Sequence, residues 1–113
     1  MSTIFKQIIN KEINADIVYE NDDILCFKDI SAQAPIHLLI IPKKEIRTIN
    51  DIENYDKELI GEMFLAAKNI ARKLNINKKG YRLVINCNED GGQTVFHLHM
   101  HLLAGRKLTW PPG

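Results

Sequence analysis

The sequence predicts an α+β fold, in which a mostly antiparallel five-stranded sheet is combined with one long and one short helix. Short apolar segments separated by turn residues lie on both sides of one long segment, residues 54–74, whose apolar residues recur at helical spacing. The segment "HLHMHLL" at 97–103 alternates two residue types, as expected of a strand with one buried face. A chain of 113 residues has the length of one domain, so we expect residues 1–113 to form a single unit.

The amino-terminal part of the chain provides the short helix and three strands. In "STIFKQIIN", four apolar residues fall on one side of a helix, and Ser2 or Thr3 is available as its cap. The first two strands flank a turn at Asn21–Asp22, and the third is almost entirely apolar, as is typical of a central strand, and ends at Pro42. The helix residues are Ile4, Phe5, Ile8 and Ile9, and the strands are predicted at 15–21, 23–30 and 37–41.

Residues 54–74 predict the long helix, which Asn54 can cap. Two further strands are predicted at 81–88 and 97–103, joined as a hairpin around Gly91–Gly92. The apolar positions that we expect on the core side of the helix are Leu59, Met63, Phe64, Ala67, Ile70, Ala71 and Leu74.

The charge balance argues against partners that attract a protein through a strong electric field. Fifteen basic and fourteen acidic residues give a formal net charge of +1, too little to hold a nucleic-acid backbone or an anionic membrane. The apolar amino terminus is interrupted by Lys6 and Lys11, unlike a signal peptide or a membrane span. We therefore expect a cytoplasmic protein with no nucleic-acid or membrane partner, in which Cys26 and Cys87 are buried free thiols.

Three of the four histidines lie two residues apart, at His97, His99 and His101. Because successive side chains of a strand point to opposite faces, we expect the three imidazoles on one face and the intervening apolar residues in the core. Three interpretations follow for this histidine row: side chains without a task, a zinc site, or acid–base and nucleophilic catalysis.

Spacing and ligand chemistry favour catalysis over zinc. The outer two histidines of such a strand start about 13 Å apart, so a single ion could take two neighbours but hardly all three. No CxxC, HExxH or nearby carboxylate cluster offers further ligands. A neutral imidazole has one lone pair for attack and one N–H that another group can orient. We therefore predict a catalytic site with no metal and no cofactor, in which His99, flanked by histidines on both sides, is the nucleophile.

The segment "HLHMHLL" resembles the histidine-triad signature, His-φ-His-φ-His-φ-φ, where φ is apolar. The segments "TIFKQII", "FKDISAQAPIHLLIIPKK", "GGQTVFHLHMHLLAGR" and "WPPG" resemble the nucleotide-binding Hint branch of the histidine-triad (HIT) superfamily over nearly the whole chain. The resemblance implies a HIT-like fold, a homodimer and a purine nucleoside phosphoramidase. Such an enzyme hydrolyses the P–N bond of purine nucleoside 5′-phosphoramidates, of the AMP-NH2 or AMP-lysine type, through a nucleotidyl-histidine intermediate.

The resemblance also assigns roles to individual residues. His99 matches the nucleophile, and His101 matches the histidine that contacts the α-phosphate and assists the leaving group. His97 and His37 match supporting members of the histidine network, and Asp29 matches the carboxylate that accepts both ribose hydroxyls. The other matched residues are Ile4, Phe5 and Ile8 at the base, Phe27 and Ile30 beside the ribose, Asn86, Gln93, Thr94 and Val95 around the phosphate and leaving group, and Trp110 near the partner subunit's site.

Two other functions stay open on the sequence. A dinucleoside polyphosphate hydrolase of the same superfamily would use the same nucleophile but cleave a P–O–P bond. A nucleotide-sensing interaction protein would bind the nucleotide without depending on turnover. The segments "GGQT" and "WPPG" favour the phosphoramidase branch over the polyphosphate hydrolases.

Overall fold

The computed structural model describes residues 2–113 and shows an α+β fold. Its elements are α1 (Ile4–Ile9), β1 (Ile17–Glu20), β2 (Ile24–Lys28), β3 (Ile36–Pro42), α2 (Lys57–Lys73), β4 (Arg82–Val84) and β5 (Met100–Ala104). Within these residues, the five strands form one sheet in the order β1-β2-β3-β5-β4, and every neighbouring pair is antiparallel. The predicted fold class, with one long and one short helix, is confirmed.

The central strand β3 pairs with β2 on one side and with β5 on the other. All of its residues except the first are buried, as the apolar sequence predicts. Alternation divides these side chains between two cores. Leu38 and Ile40 pack with α2, whereas Leu39 and Ile41 pack with α1 on the opposite face.

Helix α1 is only six residues long, and its stability depends on capping and packing, because an isolated helix of this length is unstable in water. The Thr3 hydroxyl accepts a hydrogen bond from the Lys6 backbone N–H at 3.1 Å, which confirms Thr3 as the cap. Phe5 and Ile8 are buried against the sheet, while Ile4 stays 47% exposed.

Helix α2 begins at Lys57, so the prediction that Asn54 caps it is wrong. Residues Asn54–Asp56 form a separate 3-10 turn, in which the Asp56 carboxylate accepts from the Glu53 backbone N–H. Phe64 is 49% exposed and Leu74 39%, although both were predicted to face the core, because the helix buries a narrower stripe than its apolar residues suggest. That stripe consists of Met63, Ala66, Ala67, Ile70 and Ala71.

No helix within residues 2–113 combines the length and the apolar character needed to cross a membrane.

The predicted strand at 97–103 is only partly correct, since β5 begins at Met100. The β3–β5 register pairs Ile40 with Met100, so continuing it would place Leu98 opposite Pro42. Proline has no N–H to donate to such a pair. Instead, the Leu98 N–H bonds to the Ile46 carbonyl oxygen at 2.7 Å, and residues 97–99 lie outside the ladder, following a bend at residues 95–97.

Strand β4 is also shorter than the predicted 81–88, because the chain turns away from the sheet after Val84. The following loop folds tightly on itself. A Cβ atom at Gly91 would lie 2.6 Å from the Cys87 carbonyl oxygen, so glycine is required there. Cys26 is buried as predicted, but Cys87 is only half-buried, since it lies in this loop and not in a strand.

Candidate active site

A cavity of about 540 Å³ lies beside α1, on the face of the sheet opposite α2. This volume is within the range of small-molecule sites. It brings together ten of the residues singled out by the sequence, namely Ile4, Phe5, Ile8, Phe27, Asp29, Ile30, Thr94, Val95, His99 and His101.

Sequence reasoning missed part of the cavity wall. Leu39 lines it because β3 places this residue between Phe27 on one neighbouring strand and His101 on the other. The alternation of "HLLII" could have indicated that Leu39 shares a face with Ile41, but the register across the sheet is not readable from one sequence. The connection between α1 and β1 contributes further lining residues, Ile13, Asn14, Ala15 and Asp16.

His99 is the imidazole best placed to act as a nucleophile in this cavity. Its Nδ1 lies 2.6 Å from the His97 carbonyl oxygen, so Nδ1 carries the proton that is donated. The proton on Nδ1 leaves a lone pair on Nε2. Burial lowers the pKa of His99 below its usual range, which keeps this lone pair available at neutral pH. The Phe5 ring packs edge-on against the imidazole at 5.0 Å between ring centroids.

His97 lies behind the cavity and stabilises the backbone that orients His99. Its Nε2 bonds to the Pro42 carbonyl oxygen at 2.7 Å, and the residue is only 2% exposed. Burial lowers the pKa of His97 as well, so the neutral ring is the donor. The segment 97–99 is therefore tied to the end of β3, which fixes the carbonyl group that orients His99.

His37 and His101 form a second hydrogen-bonded unit. The Gln33 backbone N–H donates to His37 Nδ1 at 3.0 Å, so the proton of neutral His37 resides on Nε2. That Nε2 lies 2.9 Å from His101 Nδ1, which must then accept and leave the His101 proton on its own Nε2. Among the buried side-chain polar atoms of residues 2–113, His101 Nε2 is the one without a hydrogen-bond partner, so it presents a free N–H donor.

Electrostatics keep His101 neutral before any ligand is present. Burial, and then the neighbouring His99 and His37, lower the pKa of His101 to about 4. A group of this kind is sensitive to an added negative charge, because a nearby anion favours its protonated form.

Asp29 follows β2 directly and lines the cavity beside Phe27. One carboxylate oxygen accepts from the Ser31 backbone N–H at 2.8 Å, and the other lies 3.3 Å from His37 Nε2. The carboxylate is held in place while part of its surface still faces the cavity, with the side chain 18% exposed.

Five of the residues singled out by the sequence do not line the cavity. His37 and His97 stand behind it, as described above, and Trp110 is 81% exposed in the carboxyl-terminal tail. Asn86 is half-buried in the segment that follows β4. Gln93 has its side-chain amide fully engaged within the protein.

The engagement of Gln93 supports the cavity wall. Its Nε2 donates to the carbonyl oxygens of Arg47 and Val95, and its Oε1 accepts from the Asn88 backbone N–H at 2.9 Å. These bonds fix the loop that carries Thr94 and Val95 into the cavity.

One group of side chains has the spacing of a metal site. The ligand atoms of Asp29, His37 and His101 all lie within 4.8 Å of one another. Their hydrogen bonds do not suit a cation, however, because Gln33 occupies the lone pair on His37 Nδ1 and the proton remains on Nε2. Binding a metal through His37 Nε2 requires that Gln33 bond to be lost, so the donor chemistry favours a proton relay.

The fold and the histidine row define the class to which this protein belongs. The HIT domain model matches residues 10–108, and the chain therefore belongs to the HIT domain family. It is 50% identical over 111 residues to an uncharacterized HIT-like protein of Synechococcus elongatus, covering 98% of this chain and 96% of that protein.

Solved structures show the same fold. A HIT family hydrolase from Legionella pneumophila superimposes with a TM-score of 0.97 at 51% identity, covering 99% of this chain and 100% of the other. A histidine triad protein from Clostridium difficile superimposes with a TM-score of 0.93 at 39% identity, covering 96% and 95%.

Proposed function

We propose that this protein is a hydrolase that binds a purine nucleotide and cleaves the P–N bond of purine nucleoside 5′-phosphoramidates. The observation that carries the proposal is the orientation of His99, whose Nδ1–H is bound to the His97 carbonyl oxygen. This bond leaves the free lone pair of Nε2 on a buried ring that lines the cavity. The name of the Legionella relative, a HIT family hydrolase, is consistent with this chemistry.

The cavity offers complementary surfaces for the three parts of a nucleotide. Apolar side chains of α1 and Phe27 form a wall suited to the flat face of a base. The Asp29 carboxylate is an acceptor placed beside that wall, and paired ribose hydroxyls are donors that match it. Thr94 offers a hydroxyl, and His101 Nε2 offers an N–H, for phosphoryl oxygens.

The reaction proceeds in two displacements at phosphorus. His99 Nε2 forms a bond to phosphorus while the P–N bond breaks, and the amine leaves after gaining a proton. Water then attacks the nucleotidyl-histidine, which releases the nucleoside monophosphate and restores neutral His99. Throughout both steps the His97 carbonyl can accept from Nδ1–H, and this contact strengthens as positive charge develops on the ring.

His101 is the group best placed to supply the proton that the amine needs. It is neutral in the free protein, since burial lowers its pKa to about 4. A phosphoryl anion facing Nε2 raises the pKa of His101 by favouring its protonated form. His101 then takes up a proton from solvent on Nδ1, while the His37 Nε2–H turns to the Asp29 carboxylate oxygen 3.3 Å away. Binding of the substrate thus makes His101 an acid whose Nε2 proton can pass to the leaving amine.

The decisive experiment compares two substrates with one enzyme preparation. We expect turnover of adenosine 5′-phosphoramidate to exceed that of a diadenosine polyphosphate, and the His99→Ala variant to lose both activities. That variant should still bind AMP in calorimetry, because His99 is one of many lining residues. Faster polyphosphate cleavage would assign the protein to the alternative hydrolase class. AMP binding without turnover of either substrate would leave a nucleotide-sensing module.

We further propose that two copies associate as a homodimer. Strand β4 lies at an edge of the sheet, and α2 leaves Phe64 49% and Leu65 47% exposed. Large apolar side chains side by side on a helix are typical of an interface. Light scattering should give the mass of a dimer, and Phe64→Glu should shift it to that of a monomer. Tyr55→Glu, at a position 79% exposed on the turn before α2, is the matched control and should leave the dimer intact.

A further inference from the structure

We infer that Arg106 is a positioning residue for the histidine relay, acting through the backbone of Gln33. The inference deepens the proposed function where it concerns turnover, but the proton arrangement that it explains exists in the protein without substrate. Arg106 lies outside the cavity and touches none of the three triad histidines through the hydrogen bonds described.

A continuous set of contacts leads from Arg106 to the cavity. Arg106 Nη2 donates to the Gln33 carbonyl oxygen at 2.9 Å. The Gln33 N–H, on the other side of the same residue, donates to His37 Nδ1 at 3.0 Å. His37 Nε2 then meets His101 Nδ1 at 2.9 Å, which leaves the His101 Nε2 proton as a free donor.

The backbone N–H of Gln33 determines which ring nitrogens of His37 and His101 carry the protons. A neutral imidazole has one donor and one acceptor nitrogen, and a backbone N–H can only donate. As long as it faces His37 Nδ1, the proton of His37 must sit on Nε2. If the loop moved, His37 could adopt the other tautomer, and His101 would lose the partner that directs its proton outward.

The loop before β3 has few other means of keeping this position. The Ser31 backbone N–H donates to the Asp29 carboxylate, and the Gln33 side-chain amide donates to the Ser31 carbonyl oxygen, so both contacts are internal to the loop. At the base of the loop, the Asp29 N–H donates to the His37 carbonyl oxygen, and Ala34 is buried. The side-chain hydrogen bond that reaches the middle of the loop from another segment comes from Arg106, after β5. A Cβ atom at Gly105 would lie 2.8 Å from Pro35 Cβ, which shows how closely the two segments approach.

Arginine suits this position because its planar fork reaches two carbonyl groups. Nη2 bonds to Gln33, and Nη1 lies 3.3 Å from the Lys107 carbonyl oxygen. Arg106 is also only five residues beyond His101 on the same strand and its exit. Strand β5 carries His101, and the segment that leaves it carries Arg106, which bonds to Gln33, the partner of His37. His101 and Arg106, the two ends of this set of contacts, are therefore fixed to one element.

The test measures imidazole tautomers by ¹H–¹⁵N correlation NMR, with no substrate present. In the natural protein, the His37 proton is expected on Nε2 and the His101 proton on Nε2. Arg106→Ala should give mixed or exchanging tautomers for His37 and reduce kcat by about tenfold with little change in KM, as a small misplacement of a catalytic group does. Arg106→Lys should restore the signals in part. Lys107→Ala, which removes the adjacent exposed cation, is the matched control and should behave as the natural protein.

Substitutions at Gln33 test the backbone step separately. Gln33→Ala keeps the N–H and should leave the His37 tautomer unchanged, whereas Gln33→Pro removes the N–H and should release it. If Gln33→Pro does not fold, the Arg106 series decides alone. An Arg106→Ala protein with the same His37 tautomer as the natural protein would overturn the inference. That result is read without turnover, so it is distinct from failure of the proposed phosphoramidase activity.

Discussion

The two faces of the sheet are covered to very different extents. On one face, the 17 residues of α2 close a continuous core that includes Met63, Leu98, Met100 and Leu102. On the other, the six residues of α1 cover only part of a smaller cluster around Phe27 and leave the cavity beside it. The alternation of one segment thus sends its apolar side chains into the closed core and two of its histidines to the open cavity.

The difference shows how a small fold separates stability from chemistry. A residue on the α2 side is surrounded by apolar atoms, so its removal leaves a void. A residue on the α1 side borders a cavity, so its removal changes mainly what that cavity can bind or do. Substitutions one residue apart in the same segment should therefore have opposite consequences.

The largest effect is expected at the cavity. His99→Ala should reduce kcat for a phosphoramidate on the order of 10⁴-fold, because no other group supplies the attacking lone pair. The thermal midpoint should change little by comparison. Steady-state assays and thermal unfolding curves check the two points, and a variant with substantial turnover would contradict the assignment.

The adjacent residue should show the reverse behaviour. Leu98 is 1% exposed in the α2-side core, and Leu98→Ala should lower the free energy of unfolding by about 2–5 kcal/mol. Activity per folded molecule should remain far above that of His99→Ala. Urea unfolding at low temperature, combined with assays normalised to folded protein, measures the two quantities. A Leu98→Ala protein that is as stable as the natural protein but inactive would contradict the assignment of stability to the α2 face and of chemistry to the cavity face.

The next effect is a pH dependence of stability that originates on the cavity side. The pKa of His101 is lowered to about 4 by burial and by its histidine neighbours, whereas a histidine in the unfolded chain has a pKa of about 6.5. Between these values the unfolded chain binds more protons, so the free energy of unfolding falls as the pH is lowered through this window. His101→Gln should show a shallower fall of this free energy in urea titrations from pH 7 to 4, and identical slopes would refute this origin.

The smallest effect is expected at the rim of the cavity. Ile4 is 47% exposed and lines the proposed base wall. Ile4→Ala should change the free energy of unfolding by less than about 0.5 kcal/mol, while the loss of apolar contact raises KM roughly fivefold. Leu74→Ala, at a position 39% exposed at the carboxyl-terminal end of α2 on the opposite face of the sheet, is the control and should leave KM unchanged.

The features that sequence alone could predict are those governed by alternation. The apolar run of β3 and the histidine row each specify which side chains share a face, so the faces are readable before the strands are placed. The ends of the elements were harder to predict. The start of β5 depends on Pro42, a residue far away in sequence that would lie opposite Leu98 if the β3–β5 register continued.

The proton arrangement of the candidate site lies still further from the sequence. It depends on a backbone N–H at Gln33 and on carbonyl oxygens at His97 and Pro42. Backbone N–H and carbonyl groups are common to nearly all residues, so no side-chain pattern identifies the three backbone groups that orient these histidines. A sequence can thus indicate which histidine is the candidate nucleophile, whereas the tautomers that the proposed attack requires are set by the folded backbone.

The most direct test of the central claim is mass spectrometry of protein quenched during turnover of a nucleoside phosphoramidate. The account predicts a nucleotidyl group on the imidazole of His99, absent from the His99→Ala protein. An adduct on any other residue, or hydrolysis through direct attack of water with no covalent intermediate, would contradict it.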